Sequence, residues 1–269
     1  METTPTVEET IQQVKNPLLE RLRIPGETFR LPSGGIFYSN GELSGDVANG
    51  EVHVHPMTTY DEILMKSPDM LFTGKAIDLV FRRCIPQIQK PMDLFSKDVD
   101  YLLTCLRKVS FGGNVSIAYT HTCENAKEHE YEVDIGPFID NAKRIDPTRA
   151  GDMGKLETQN GQQVVLRPPR MKDVIDLFQA PSKDVTPEKI NETLVSSILS
   201  VIDSVDGVRD RDMIRQWLES IPANWMTDIS SAIEKIGDWG PSFKTKVKCK
   251  DCGEELELES PINPVAFFI

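Results

Sequence analysis

Hydrophobic positions recur every three or four residues over 58–111, a spacing that predicts three consecutive helices and the strongest core signal in the chain. Thr58-Thr59 ahead of Asp61-Glu62 sets a hydroxyl cap with an acid in the first turn, after which Ile63, Leu64 and Met65 form an apolar face that Pro68 interrupts. A second helix starts near Thr73-Gly74, carries Ala76, Ile77, Val80, Phe81 and Cys84 on one side, and stops at Pro86. A third opens at Phe95-Ser96-Lys97-Asp98, places Val99, Leu102, Leu103, Leu106 and Val109 on one face, and ends at Gly112-Gly113. The helical period returns over 171–178, over Ile190, Leu194, Ile198, Val201 and Ile202 behind a first-turn Pro187, over 213–221 under an Asp210 cap, and over 225–236.

A period of two marks the strands. Phe29-Arg30-Leu31 alternates, turns at Pro32-Ser33-Gly34-Gly35 and resumes at Ile36-Phe37-Tyr38, and residues 51–55 alternate until Pro56. Residues 115–119 lead into a hairpin, 141–161 read as loop, and Val164-Val165-Leu166 ahead of Pro168-Pro169 reads as an edge strand, because proline cannot donate to a ladder. The expected class is α+β: two mainly helical lobes with short β-hairpins and a C-terminal zinc-ribbon-like hairpin. The expected divisions are a polar N-terminal arm at 1–23 holding a short helix over 14–22, a first lobe at 24–140, a linker and edge strand at 141–170, a second helical lobe at 171–240, and a Cys-x-x-Cys hairpin with an apolar tail at 241–269.

Candidate chemistry concentrates in that last hairpin. Cys249 and Cys252 stand two residues apart, Gly253 permits the left-handed backbone needed just after such a turn, and Leu256 and Leu258 then alternate with glutamates. The pair supplies two thiolates, while structural zinc takes four ligands. A partial echo lies upstream, where His121 and Cys123 precede a polar turn and His129 precedes the alternating Tyr131-Glu132-Val133-Asp134-Ile135. If the two hairpins face each other, Cys123 with either His121 or His129 completes a zinc site with Cys249 and Cys252; the plainer alternative is a reduced dithiol beside surface hairpin residues. His53 and His55 share one face of a strand, a pattern that two histidines alone produce on any exposed strand.

Composition narrows the function classes. A net charge of −12 argues against broad nucleic-acid or anionic-membrane binding, and the short basic clusters Arg82-Arg83 and Lys244-Lys246-Lys248 read as solvated. No apolar run is long enough for a membrane span, and the N-terminus lacks the regions of a signal peptide. Five cysteines without secreted-protein spacing point to a reducing compartment, with Cys84 and Cys105 as buried apolar residues. Phosphate loops, nucleophile elbows and His-Glu-x-x-His are missing from the sequence, so binding is favoured over catalysis. An oxidoreductase using Cys249 and Cys252 and a zinc-ribbon adaptor in transcription or protein quality control are the competing readings. The apolar end Val265-Ala266-Phe267-Phe268-Ile269 reads either as an anchor for a partner or as a segment packed on its own domain.

The block from Met57-Thr58-Thr59-Tyr60-Asp61-Glu62 through Phe72-Thr73-Gly74-Lys75-Ala76 to Arg83-Cys84-Ile85-Pro86-Gln87-Ile88, with Leu31-Pro32-Ser33-Gly34-Gly35-Ile36-Phe37-Tyr38 before it and Asp98-Val99-Asp100-Tyr101 after it, resembles the base plate protein family of T-even-type contractile-tailed bacteriophages, in particular the baseplate hub assembly proteins. The resemblance covers about residues 24–140 well and reaches the end through the closing Cys-x-x-Cys-Gly hairpin. It implies a virion or virion-assembly protein made in the host cytoplasm, acting at the baseplate centre with other hub or tail proteins, with a multi-copy assembly among the expectations. Where such relatives carry Cys-x-x-Cys in the first hairpin this chain has Cys123 alone, which favours one shared site over two.

Overall fold

The computed structural model describes residues 25–39, 41–47, 49–123, 127–148, 150–179, 186–259 and 268, so the expected arm at 1–23 and the tail residues Val265, Ala266, Phe267 and Ile269 lie outside the described residues. The chain is α+β: helices surround several small antiparallel sheets rather than one large one.

Strands β1 (Glu27–Arg30) and β2 (Glu51–Val54) pair antiparallel with Phe29 opposite Val52. They cover a helical block made of α1 (Thr59–Met65), α2 (Pro68–Phe72), α3 (Lys75–Cys84) and α4 (Ser96–Phe111). Thr58 caps α1 by accepting from the Asp61 amide, and the Asp61 carboxylate accepts from the Thr58 amide at 2.9 Å, which closes a reciprocal capping box. The same buried carboxylate takes Nε of Arg83 on α3 at 2.6 Å, so one side chain both starts α1 and fastens it to α3. Burial alone would raise the Asp61 carboxyl; the Thr58 hydroxyl and amide and the Arg83 guanidinium outweigh it and hold it below the usual range.

Ala76, Ile77, Val80, Phe81 and Cys84 on α3 and Val99, Leu102, Leu103 and Leu106 on α4 are all buried, as their spacing predicts. Departures from the expected pattern have local causes. Ile63 is 63% exposed, because the side of α1 facing α3 carries Asp61, Leu64 and Met65. Pro68 starts a helix instead of ending one, occupying a first-turn position where its missing amide proton costs nothing. Residues 36–38 are no strand; Ile36 and Phe37 lie in a turn, and Tyr38 points inward. Arg82 and Arg83, expected as a solvated pair, are both engaged, Arg82 with Asp78 at 2.9 Å.

Tyr38 joins a buried polar group. Its hydroxyl donates to Asp98 Oδ2 at 2.7 Å and accepts from the Phe95 amide at 2.9 Å, while the Ser33 amide donates to Asp98 Oδ1 at 3.1 Å. Burial pushes the Asp98 carboxyl up to about 6 despite the Ser33 and Tyr38 hydrogen bonds, and burial raises Asp100 to about 6 as well. A folded pKa above the unfolded one means that the native state keeps a proton the unfolded chain has lost. The resulting stability is present below about pH 4 and is lost as pH rises through about 6. We expect Asp98→Asn to gain on the wild type by on the order of 2 kcal/mol between pH 4 and pH 7 in urea unfolding. A difference independent of pH would show that Asp98 is not the group that titrates.

After α4 the chain forms the long hairpin of β3 (Asn114–Thr120) and β4 (Glu128–Asp134), followed by the short helix α5 (Gly136–Asp140). A second core gathers around a three-stranded sheet of β5 (Lys155–Glu157), β6 (Gln163–Leu166) and β7 (Ile202–Val205), with α7 (Pro187–Val201), α8 (Arg211–Ser220) and α9 (Ala223–Ile236), while α6 (Met171–Gln179) sets Met171 against the first core. Here β6 is the central strand, not an edge, since Pro168 and Pro169 fall beyond its last ladder position. Ile202 begins β7 rather than continuing α7, and β5 lies inside the stretch expected to be loop. Asp210 caps α8 as predicted, accepting from the Met213 amide at 2.9 Å. Phe95, Ile145 and Trp239 form a small buried cluster between the two cores.

The chain closes with the hairpin of β8 (Lys244–Lys248) and β9 (Glu255–Glu259). Beyond it, Phe268 is 4% exposed in the first core, with its ring 6.5 Å from that of Phe111. That residue of the apolar end therefore packs on its own chain. Among the described residues no helix is long and apolar enough to cross a membrane.

Candidate metal centre

The turn between β8 and β9 is a tight knuckle. The Cys249 amide donates to the Glu254 carbonyl at 2.8 Å, and the Gly253 amide returns to the Cys249 carbonyl at 2.9 Å. Gly253 sits at φ +76°, a left-handed conformation that a β-carbon would strain. The knuckle lies against the tip of the β3–β4 hairpin, where His121 and Cys123 follow the end of β3; the Cys123 amide donates to the His121 carbonyl at 3.0 Å. One donor atom from each of His121, Cys123, Cys249 and Cys252 lies within 4.8 Å of the other three.

Both the donor set and its spacing fit a zinc-class ion. Bonds of about 2.3 Å to sulfur and about 2.1 Å to nitrogen at a tetrahedral angle separate the two donor atoms by about 3.6 Å. Cys252 Sγ and His121 Nδ1 are 3.6 Å apart. With Nδ1 turned to the Cys252 sulfur, the other ring nitrogen of His121 lies 3.7 Å from Glu254 Oε2, longer than a hydrogen bond. Cys249 is buried, His121 and Cys123 are half-buried, and Cys252 is exposed.

Electrostatics at the cluster are divided. The Cys252 amide is the largest influence lowering the Cys249 thiol to about 6, with the Asp251 amide and the Cys252 and His121 side chains acting in the same sense against desolvation. At Cys252 the Glu254 amide also acts to lower the thiol, but desolvation and the sulfurs of Cys249 and Cys123 outweigh it and the thiol is raised. Thiols this close resist ionising together, and a divalent cation between them removes the conflict. Cys84 behaves differently: burial pushes it up to about 12, as suits an inert core residue.

His129, the other candidate on the first hairpin, is not among the clustered donors; its Nε2 lies 2.8 Å from Asp251 Oδ2. Within the Tyr119↔His129 and Thr120↔Glu128 register, His121 continues past the strand end toward the knuckle while His129 stays in the ladder. His53 on β2 and His55 just past its end are remote from the cluster in sequence and sheet, their rings 4.7 Å apart, with His53 Nδ1 3.1 Å from Thr28 Oγ1. Asp251 and Glu254 escaped the sequence reading; their only signal was a place within or next to Cys-x-x-Cys. Lys244, Lys246 and Lys248 stand opposite Glu259, Glu257 and Glu255 across the hairpin, so its basic strand is matched by an acidic one.

Comparison with known proteins adds the family. The chain matches the family model of the T4 bacteriophage base plate protein over residues 30–269. Neither the curated proteins nor the solved structures give a match. Because the matched stretch takes in both cores, the joint between them and both arms of the Cys/His cluster, the chain belongs to the T4 bacteriophage base plate protein family.

Proposed function

We propose that this chain is a non-enzymatic structural or assembly component of the baseplate hub of a contractile phage tail, working by binding neighbouring tail proteins. The observation that carries this reading is the family match across almost the whole chain; the hub placement rests further on the likeness over 31–38 and 57–88 to hub assembly proteins. On this reading the protein is made in the host cytoplasm and joins the tail there.

Within that role, His121, Cys123, Cys249 and Cys252 are the proposed ligands of one zinc ion. Zinc held there cross-links two hairpins, and its binding free energy becomes folding free energy of an element with little core of its own. Convergence of four donors, rather than a lone pair of sulfurs, favours a metal over a redox dithiol. Matched lysines and glutamates on β8 and β9 leave no free basic strand for a nucleic-acid adaptor.

The test is a nonsense mutant of the gene in the phage, with quantitative mass spectrometry of wild-type particles and infected lysates. We expect the mutant to accumulate tails arrested at baseplate assembly, and the protein to copurify with wild-type baseplates or their hub intermediates. Mutant phage with normal, infectious contractile tails would overturn the reading.

A further inference from the structure

The knuckle is held by more than its sulfurs. His129 Nε2 lies 2.8 Å from Asp251 Oδ2, and the Lys250 amide donates to the Tyr131 hydroxyl at 3.3 Å. The Lys250 ammonium donates to the Glu130 carbonyl and lies 5.3 Å from the centre of the Tyr131 ring. None of these contacts uses a donor atom of the Cys/His cluster. All of them seize the two residues between Cys249 and Cys252, inside the turn closed by the Cys249 amide on the Glu254 carbonyl and by the Gly253 amide on the Cys249 carbonyl. Fixing residues 250 and 251 therefore fixes the aim of both cysteines.

We propose that β4 presets the Cys-x-x-Cys turn for metal, with His129 as the positioning residue acting through the Asp251 carboxylate. The inference rests on the zinc reading above and deepens it. One hairpin then supplies two ligands from beyond the end of β3 and, from β4, aims the loop that supplies the other two. The His129 and Asp251 side chains are 24% and 16% exposed, dry enough for their contact to hold against water. Outer partners of this kind govern affinity by reducing the reorganisation that ligands undergo when the ion arrives.

The experiment uses the full chain, with Zn2+ affinity read by competition against a chromophoric chelator and ligand identity read from Co2+ absorption. His129→Ala should weaken Zn2+ binding about 10- to 100-fold while leaving the Co2+ bands in place. His129→Gln, whose amide can reach the same carboxylate, should recover most of the loss, and Glu132→Gln on the exposed face of β4 should bind as wild type does. Should His129→Ala fail to fold, Tyr131→Phe removes the hydroxyl that accepts from the Lys250 amide while keeping the ring, and should show a smaller loss of the same kind. A wild type that binds Zn2+ together with a His129→Ala affinity within twofold of it would overturn the positioning role alone. Shifted Co2+ bands in His129→Ala would overturn it too, by making His129 a ligand. A wild type that takes up neither ion would remove the zinc reading and this inference with it.

Discussion

Cys249→Ser is expected to abolish stoichiometric zinc and to lower the melting temperature of the chain by roughly 5–10 °C. Little else holds the last hairpin. Its buried cluster consists of Cys249, Leu256 and Leu258, with Cys123 and Val247 packed alongside. Burial of a few such side chains is worth on the order of 1.5–3 kcal/mol each, less than the ordering of two five-residue strands costs. On the proposed reading a zinc ion would close that gap, and losing about 3 kcal/mol in a chain of this length corresponds to a shift of that size. Loss should also be local. Amides of β8, β9 and the tip of β3–β4 should lose hydrogen-exchange protection while α3 and α4 keep theirs. Chelation of the wild type should reproduce the shift; a melting temperature unmoved by the substitution and by chelation would remove the structural role of the site.

The same hairpin shows what a sequence can carry about a site. Cys249, Cys252 and Gly253 are legible because a knuckle is a local object, with its donors and its left-handed residue within one turn. Choosing between His121 and His129 is not local. Both flank the same polar turn, and only the β3–β4 register, with the approach of residues 249–252 from far along the chain, sends one to the sulfurs and the other to Asp251. The buried faces of helices α3 and α4 were readable except at Val109, which is half-buried near the end of α4, since a buried face repeats every turn whatever it packs on. Ile202 was misread because α7 passes directly into β7 with no glycine or proline to mark the change. Tyr38 was misread because a strand-like triplet is bent inward by a hydrogen bond to Asp98, sixty positions on, which no pattern near residue 38 contains.

Phe95 is the residue whose importance is least visible in sequence, and its substitution gives the second large expected effect. Its ring stacks on Tyr38 at 5.2 Å, meets Phe37 edge-on at 5.8 Å and Trp239 at 6.1 Å, and lies 5.9 Å from the Arg170 guanidinium. These neighbours come from both sides of the joint: Tyr38 also packs on the first core, while Trp239 follows the helix that closes the second. Phe95→Ala should cost about 3–5 kcal/mol, as truncating a buried aromatic ring does. The Trp239 ring is held by packing, since its buried Nε1 has no hydrogen-bond partner among the described residues, while its amide donates to the Gly237 carbonyl at 2.9 Å. Main-chain ties persist in the variant, with Ser96 N donating to Pro169 O at 2.9 Å and Met171 N donating to Leu94 O at 2.8 Å. The cores should therefore stay adjacent but stop unfolding together. Trp217, Trp225 and Trp239 all lie in the second half of the sequence, so their fluorescence reports that half while far-UV circular dichroism reports the whole. In the wild type the two signals should change at one denaturant concentration; in Phe95→Ala the fluorescence transition should come first. Coincident transitions in the variant, with a cost below about 1 kcal/mol, would mean that the main-chain ties and not the aromatic joint make the two cores cooperative.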